Sequence, residues 1–230
     1  MVIREDAMVA ARIDQEIGQE VQTQLQWVLG RAAEDIGVQA HMGLVRLTGR
    51  TGSYAAKMAA QDAAHRVAGV TDVANEITVR VTQGNIRSDA EIARAVRSAL
   101  EWDVQVPDDR ITSTVSDGFV TLEGRVRSLT ERNDAEYVVR RLAGVRGVHN
   151  AINVLPPQVA PKDLKRKIGE ALERRAVREA DQINVSVDDG RVTLSGEVQS
   201  WEEKRAVVGL VSHAPGVQLV NDHLAIKPWV

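Results

Sequence analysis

Apolar residues recur along this chain in a fixed order of periods. Ile17, Val21 and Leu25 stand four apart, as do Ile92, Val96 and Leu100, and again Leu164, Ile168 and Leu172. That spacing places each set on one face of a helix. Strict alternation follows in Ile36-x-Val38-x-Ala40, Ile111-x-Ser113-x-Val115 and Ile183-x-Val185-x-Val187, the pattern of a half-buried strand. A second alternating run reads G-x-V-x-L-x-G in all three places: Gly43 to Gly49, Gly118 to Gly124 and Gly190 to Gly196. Between the two strands, Asp117-Gly118 and Asp189-Gly190 supply the positive-φ pair of a tight hairpin, whereas Met42-Gly43 makes a weaker turn.

Ser53, Ser128 and Ser200 each sit four residues past the closing glycine. Ser128-Leu129-Thr130-Glu131 and Ser200-Trp201-Glu202-Glu203 are capping boxes that open a second helix. The first copy has Ala56 in place of the glutamate and loses one reciprocal bond, so its helix start should fray more readily. These helices are predicted to run through Ala63 and Val67, Val138 and Leu142, and Leu210 and Ala214, and to stop at Gly69, Gly144 and Gly216. A last alternating strand follows in Val73-x-Asn75-x-Ile77, Val148-x-Asn150-x-Ile152 and Val220-x-Asp222-x-Leu224.

With Gly49, Gly124 and Gly196 as anchors the repeats are 75 and 72 residues apart, too long for a solenoid and right for a small independent domain. The predicted class is α+β: three tandem α-β-β-α-β domains at 14–81, 88–155 and 161–227, each with two helices on a three-stranded mixed sheet. Thr82-Gln83-Gly84-Asn85 forms a short polar bend between the first two. Leu155-Pro156-Pro157-Gln158-Val159-Ala160-Pro161 is a proline-rich, semi-rigid spacer before the third. Aromatics are only 3% of the 230 residues, which agrees with small cores of Val, Ile, Leu and Ala.

The G-x-V-x-L-x-G strand, the serine after it, and Ala143-Gly144-Val145-Arg146-Gly147-Val148-His149-Asn150-Ala151-Ile152 resemble the BON domain family (bacterial OsmY and nodulation) in three copies. Copies two and three match closely; copy one matches in spacing with weaker turn and cap residues. The resemblance implies binding rather than chemistry, with association to anionic phospholipid as the usual proposal and osmotic or envelope stress as the setting. It offers a periplasmic location. The chain as written points instead to the cytoplasm, because Met1-Val2-Ile3-Arg4-Glu5-Asp6 is no basic n-region and no apolar segment follows. Some family members bind potassium through a protein that also carries a LysM module, which is not seen here.

A net charge of −3 argues against a nucleic-acid partner. Zero cysteines exclude disulfides, thiolate metal sites and a cysteine nucleophile. His41, His65, His149, His213 and His223 are scattered without ligand spacing, so no metal and no other cofactor is expected. Asp108-Asp109, Asp188-Asp189 and Glu202-Glu203 are explained by a loop, a hairpin tip and a helix start, and no enzyme is expected.

Two features remain as candidate binding elements. Trp27 and Trp102 share a position at the end of helix one, with Arg174 there in the third copy, and Trp102 leads into a loop bearing Val104 and Val106. Tryptophan beside aliphatics at an exposed helix end suits a membrane interface; the commoner role of such rings is to cover a sheet edge or a neighbouring domain. The other is the first helix of copy three, where Lys162, Lys165, Arg166, Lys167, Arg174, Arg175 and Arg178 face Asp163, Glu170 and Glu173. At about 1 kcal/mol per basic residue near an anionic surface, a net +4 gives roughly millimolar affinity. The expected function is weak association with an anionic phospholipid surface, with a protein-interaction or homo-oligomeric scaffold and potassium sensing as alternatives. Trp201, at another helix start, is a further place to look for a partner.

Overall fold

The computed structural model describes residues 2–157, 159–174 and 183–227, with side chains for 13–157, 159–172 and 183–227. Each repeat forms its own small sheet with a helix before and after the hairpin. The first repeat comprises α1 (Val2–Leu29), a 3-10 turn, the hairpin β1 (Ile36–His41) and β2 (Leu44–Thr51), α2 (Tyr54–Ala64), β3 (Asp72–Asn75) and β4 (Thr78–Val79). In the second, α3 (Asp89–Trp102) precedes β5 (Ile111–Ser116), β6 (Phe119–Val126), α4 (Leu129–Val139) and β7 (Gly147–Val154). The third contains α5 (Pro161–Arg174), β8 (Ile183–Asp188), β9 (Arg191–Val198), α6 (Trp201–Ser212) and β10 (Leu219–Ile226). Hairpin strands pair antiparallel and, in the first two repeats, the returning strand pairs parallel with the hairpin's second strand, so the sheets are mixed. The architecture is therefore α+β in three tandem domains.

By compactness the chain divides in two. One unit reaches Thr82 and takes in Gln199–Glu202 and the end of the third repeat from Ile226; the other comprises Gln83–Val198 and Glu203–Ala225.

The predicted helix faces are the buried ones: Val21, Leu25, Val96, Leu100, Leu164 and Ile168 are fully or almost fully removed from solvent. Opposite them lie Val45 and Leu47, Val120 and Leu122, and Val192 and Leu194, the V-x-L pairs of the central strands. Among the described residues no Phe, Tyr or Trp is buried, so the cores are aliphatic. The closing glycine of each hairpin is held by geometry. Gly49 at φ +112° and Gly124 at φ +143° lie opposite Ile36 and Ile111, and a Cβ there would run into the carbonyl oxygens of Asp35 and Arg110. The turn glycines Gly43, Gly118 and Gly190, the anchor Gly196, and the stops Gly69, Gly144 and Gly216 also have positive φ.

Three expectations are corrected. The second helices end well before their glycines, at Ala64, Val139 and Ser212, because the chain tightens into successive i to i+3 turns such as Val67 N–H to the Ala64 carbonyl. The first sheet has four strands instead of three, its last strand being interrupted at Glu76-Ile77 while keeping one register on β2. Helix α1 extends back to Val2, beyond the expected limit at 14.

Caps follow the serines. The Ser53 and Ser128 hydroxyls accept from the N–H groups of Ala56 (3.2 Å) and Glu131 (3.1 Å). Glu131 reaches back one residue further than a capping box requires, accepting from Arg127 N–H at 2.6 Å.

Candidate functional site

Helix α3 begins at a complete capping box that the sequence reading passed over: Glu91 N–H donates to the Ser88 hydroxyl and Ser88 N–H to Glu91. Those bonds from Ser88 hold the Glu91 carboxyl below the usual carboxylate range. The helix then buries Ile92, Val96 and Leu100. Trp102 follows Leu100 by two residues, about 200° around the axis, so its ring faces away from the core and is 86% exposed. Trp27 repeats this relation to Leu25 and is 83% exposed. Beyond Trp102, Val104 is fully exposed.

Val106 does not belong to that surface. Asp103 accepts from Gln105 N–H through its side chain and from Val106 N–H through its carbonyl, which reverses the chain and turns Val106 into the core at 5% exposure. Trp201 is also engaged inside the chain, stacked on His65 at 3.9 Å between ring centroids and packed on the first unit's core.

Helix α5 turns Leu164, Ile168 and Leu172 inward and leaves Lys162, Lys165, Arg166 and Lys167 exposed. Arg166 is committed to Glu170 at 2.7 Å and lies 3.7 Å from Asp163. The three lysines have no ion pair among the described residues. The remaining basic candidates of this helix, Arg174, Arg175 and Arg178, lie outside the residues whose side chains are described.

Two arrangements went unseen in the sequence. The first is a latch on the hairpin tip. Asp89, the first residue of α3, accepts from the N–H groups of Asp117 and Gly118, both at 2.9 Å. Asp14 in α1 does the same for Met42 (3.0 Å) and Gly43 (3.4 Å), with His41 Nδ1 3.6 Å away. The position one repeat further on is Pro161, whose side chain has no acceptor. The shared 75-residue offset of Asp14 and Asp89 was the available signal.

The second is a clamp from the last strand to the second helix. Asn150 donates to the Arg132 carbonyl (2.9 Å) and accepts from Ile152 N–H (3.2 Å), as Asn75 does with Lys57 and Ile77. Asp222 takes the place in the third repeat. It accepts from Leu224 N–H and pairs with Lys204 at 3.2 Å, while Lys204 also donates to the Leu224 carbonyl.

Asp108 likewise has a structural partner, Arg97, whose guanidinium donates to its side chain and carbonyl and to the Ile111 carbonyl. Among the described residues no three His, Asp or Glu side chains are grouped to hold a metal ion, and no helix is long and apolar enough to cross a membrane.

The BON domain family matches the chain at residues 13–81, 88–156 and 162–228. Osmotically-inducible protein Y of Escherichia coli K12 is 30% identical over 120 residues, which is 50% of this chain and 60% of that protein. The 21 kDa hemolysin of Actinobacillus pleuropneumoniae is 31% identical over 120 residues, covering 51% and 61%. Potassium binding protein Kbp of Escherichia coli O6:H1 is 29% identical over 62 residues, covering 27% and 42%. The chain thus spans less than two thirds of each of these relatives. The family matches, by contrast, take in every hairpin, every anchor glycine and the core-facing part of both helices of each repeat, and on that ground the chain belongs to the BON domain family, with three copies in tandem.

Proposed function

We propose that this protein is a non-enzymatic binding protein of osmotic or envelope stress that associates weakly with anionic phospholipid surfaces. The observation that carries the reading is the exposed tryptophan at one helix position in two repeats, Trp27 and Trp102, whereas Trp201 is half-buried against a core. A ring of that size left in water at a helix end, beside the fully exposed Val104, suits the interfacial layer of a bilayer. Lys162, Lys165 and Lys167 add a basic surface on α5. At about 1 kcal/mol each they supply roughly 3 kcal/mol, short of millimolar affinity by themselves, so insertion of the rings and the avidity of repeated domains must contribute. Two relatives' names support the reading, osmotic induction for the stress setting and potassium binding for a binding role.

The test is sedimentation with liposomes of neutral lipid alone and with anionic lipid added. Salt-sensitive binding that needs the anionic lipid is expected, and it should fall when Trp102→Ala is combined with Lys165→Gln and Lys167→Gln. Equal sedimentation with both lipids, or no loss in the combined variant, would sink the proposal. Self-association that grows with concentration and ignores lipid would favour a protein-interaction scaffold.

A further inference from the structure

We propose that the third repeat holds a carboxylate-binding cleft at its hairpin tip, where the first two repeats seat a carboxylate of their own. The proposal is independent of the lipid reading. In the first two repeats the tip N–H groups of Met42 and Gly43, and of Asp117 and Gly118, are taken by Asp14 and Asp89. The third tip has the same backbone. Asp189 and Gly190 have φ of +40° and +77°, against +52° and +77° for Asp117 and Gly118. A Cβ on Gly190 would approach the Gly216 carbonyl at 3.0 Å, as one on Gly118 would approach that of Gly144 at 2.9 Å. The donors are therefore presented alike, but Pro161 occupies the carboxylate position and no described residue accepts from Asp189 or Gly190 N–H.

The space is open. A cleft of about 260 Å³ is lined by Pro156, Pro157, Val159, Pro161, Asp189 and Gly190, among others. Pro156, Pro157, Val159, Ala160 and Pro161 supply its apolar surface, and Asp189, Gly190, Gly216 and Gln218 the rest. Helix α5 starts at the same cleft with Pro161, and Ala160 stands where Ser88 caps α3, so the positive end of the helix has no side-chain acceptor from that position. Two convergent N–H donors beside a helix start favour a planar anion, and two sister sites already select a carboxylate. The Asp189 carboxylate opposes an anion here, but Asp117 occupies the same place beside Asp89 and does not prevent that contact. The proline and valine part of the lining, beside polar groups, favours a carboxylate attached to an extended peptide over a small free acid.

The test is a titration of the full chain, with glycine labelled with nitrogen-15, followed by amide NMR. The probes are sodium acetate, a blocked tripeptide with one glutamate, the same peptide with glutamine, and sodium chloride and inorganic phosphate at matched ionic strength. Acetate should shift the Gly190 amide downfield to saturation and leave Gly43 and Gly118 in place. The glutamate peptide should bind at least about tenfold tighter than acetate if the source is a polypeptide, and no tighter if it is a free acid. Pro161→Asp should abolish the response by supplying the missing carboxylate. Asp89→Ala should create a new response at Gly118, which keeps the test sound if Pro161→Asp alters the helix start. Equal shifts with chloride, phosphate or the glutamine peptide, an unchanged response in Pro161→Asp, or a silent Gly118 in Asp89→Ala would overturn the inference.

Discussion

Truncating Asp89 to alanine should loosen the second hairpin more than truncating Asp14 loosens the first. Asp89 makes two bonds at 2.9 Å and stands in the first turn of α3. A hydrogen bond to a charged group contributes about 1.5–3 kcal/mol when well sheltered. Here the Asp117 end is open to water, which replaces much of what is lost, so about 1 kcal/mol per bond is the reasonable yield. The helix start adds a few tenths, giving about 2 kcal/mol for Asp89→Ala. Asp14 has one bond at 3.0 Å and one at 3.4 Å, beyond the preferred N–H···O range. It also lies well inside α1, which begins at Val2, and gains nothing from the helix end. About 1 kcal/mol is expected there. A chain of several domains has no single melting point to compare, so the measurement is native-state hydrogen exchange of individual amides. Asp117 and Gly118 should exchange roughly 30-fold faster in Asp89→Ala, and Met42 and Gly43 roughly fivefold faster in Asp14→Ala. Equal effects, or less than about a twofold change at Gly118, would refute the reasoning.

Gly124→Ala should cost about 3 kcal/mol or more, since it combines an unfavourable φ with a Cβ in the Arg110 carbonyl; an unchanged urea midpoint for the β5 and β6 amides would contradict this. Val104→Ala should leave stability within about 0.5 kcal/mol, whereas Val106→Ala should cost about 1–2 kcal/mol as a core truncation, a contrast that denaturant titration of the two variants resolves. Burial, with repulsion from Asp103 only partly offset by His213, raises the Asp134 carboxyl above the ordinary range. The folded state then binds this proton more tightly than the unfolded state. Stability is lost as pH climbs from the ordinary carboxylate value through the raised one, so Asp134→Asn should be stabilising at pH 7 and neutral at about pH 3, and a loss of stability at pH 7 would show the sign to be wrong.

What could be predicted from sequence was whatever repeats with a period. Strands β1, β5 and β8 start at Ile36, Ile111 and Ile183 as expected because alternation and a β-branched residue coincide there. The anchor glycines were legible because only glycine fits against a neighbouring carbonyl. Positions decided by one or two hydrogen bonds were not. Val106 reads as part of an apolar loop, yet the Asp103 turn folds it inward. The early ends of α2, α4 and α6 depend on a change from i+4 to i+3 bonding, which leaves the apolar spacing almost unaltered. The latch joins residues 28 and 29 apart, a distance at which no local pattern exists.

Comparing the repeats at two positions separates drift from exchange. At the clamp, the third repeat replaces asparagine by Asp222 and so loses a donor to the second helix. It recovers the connection in another form, because Lys204 pairs with Asp222 and donates to the Leu224 carbonyl. The loss and the gain lie on facing elements, as expected where a partly sheltered link between strand and helix is kept. At the latch, Pro161 removes an acceptor and no described residue replaces it. The neighbouring sequence has changed as well, from Ile86-Arg87-Ser88 to Gln158-Val159-Ala160 with two prolines before it. If stability alone governed this corner, a hydroxyl or amide side chain would suffice to hold the turn, as serine does at so many helix starts in the same chain. A preserved pair of donors with an open cleft in front of it is better explained by an acceptor supplied from outside.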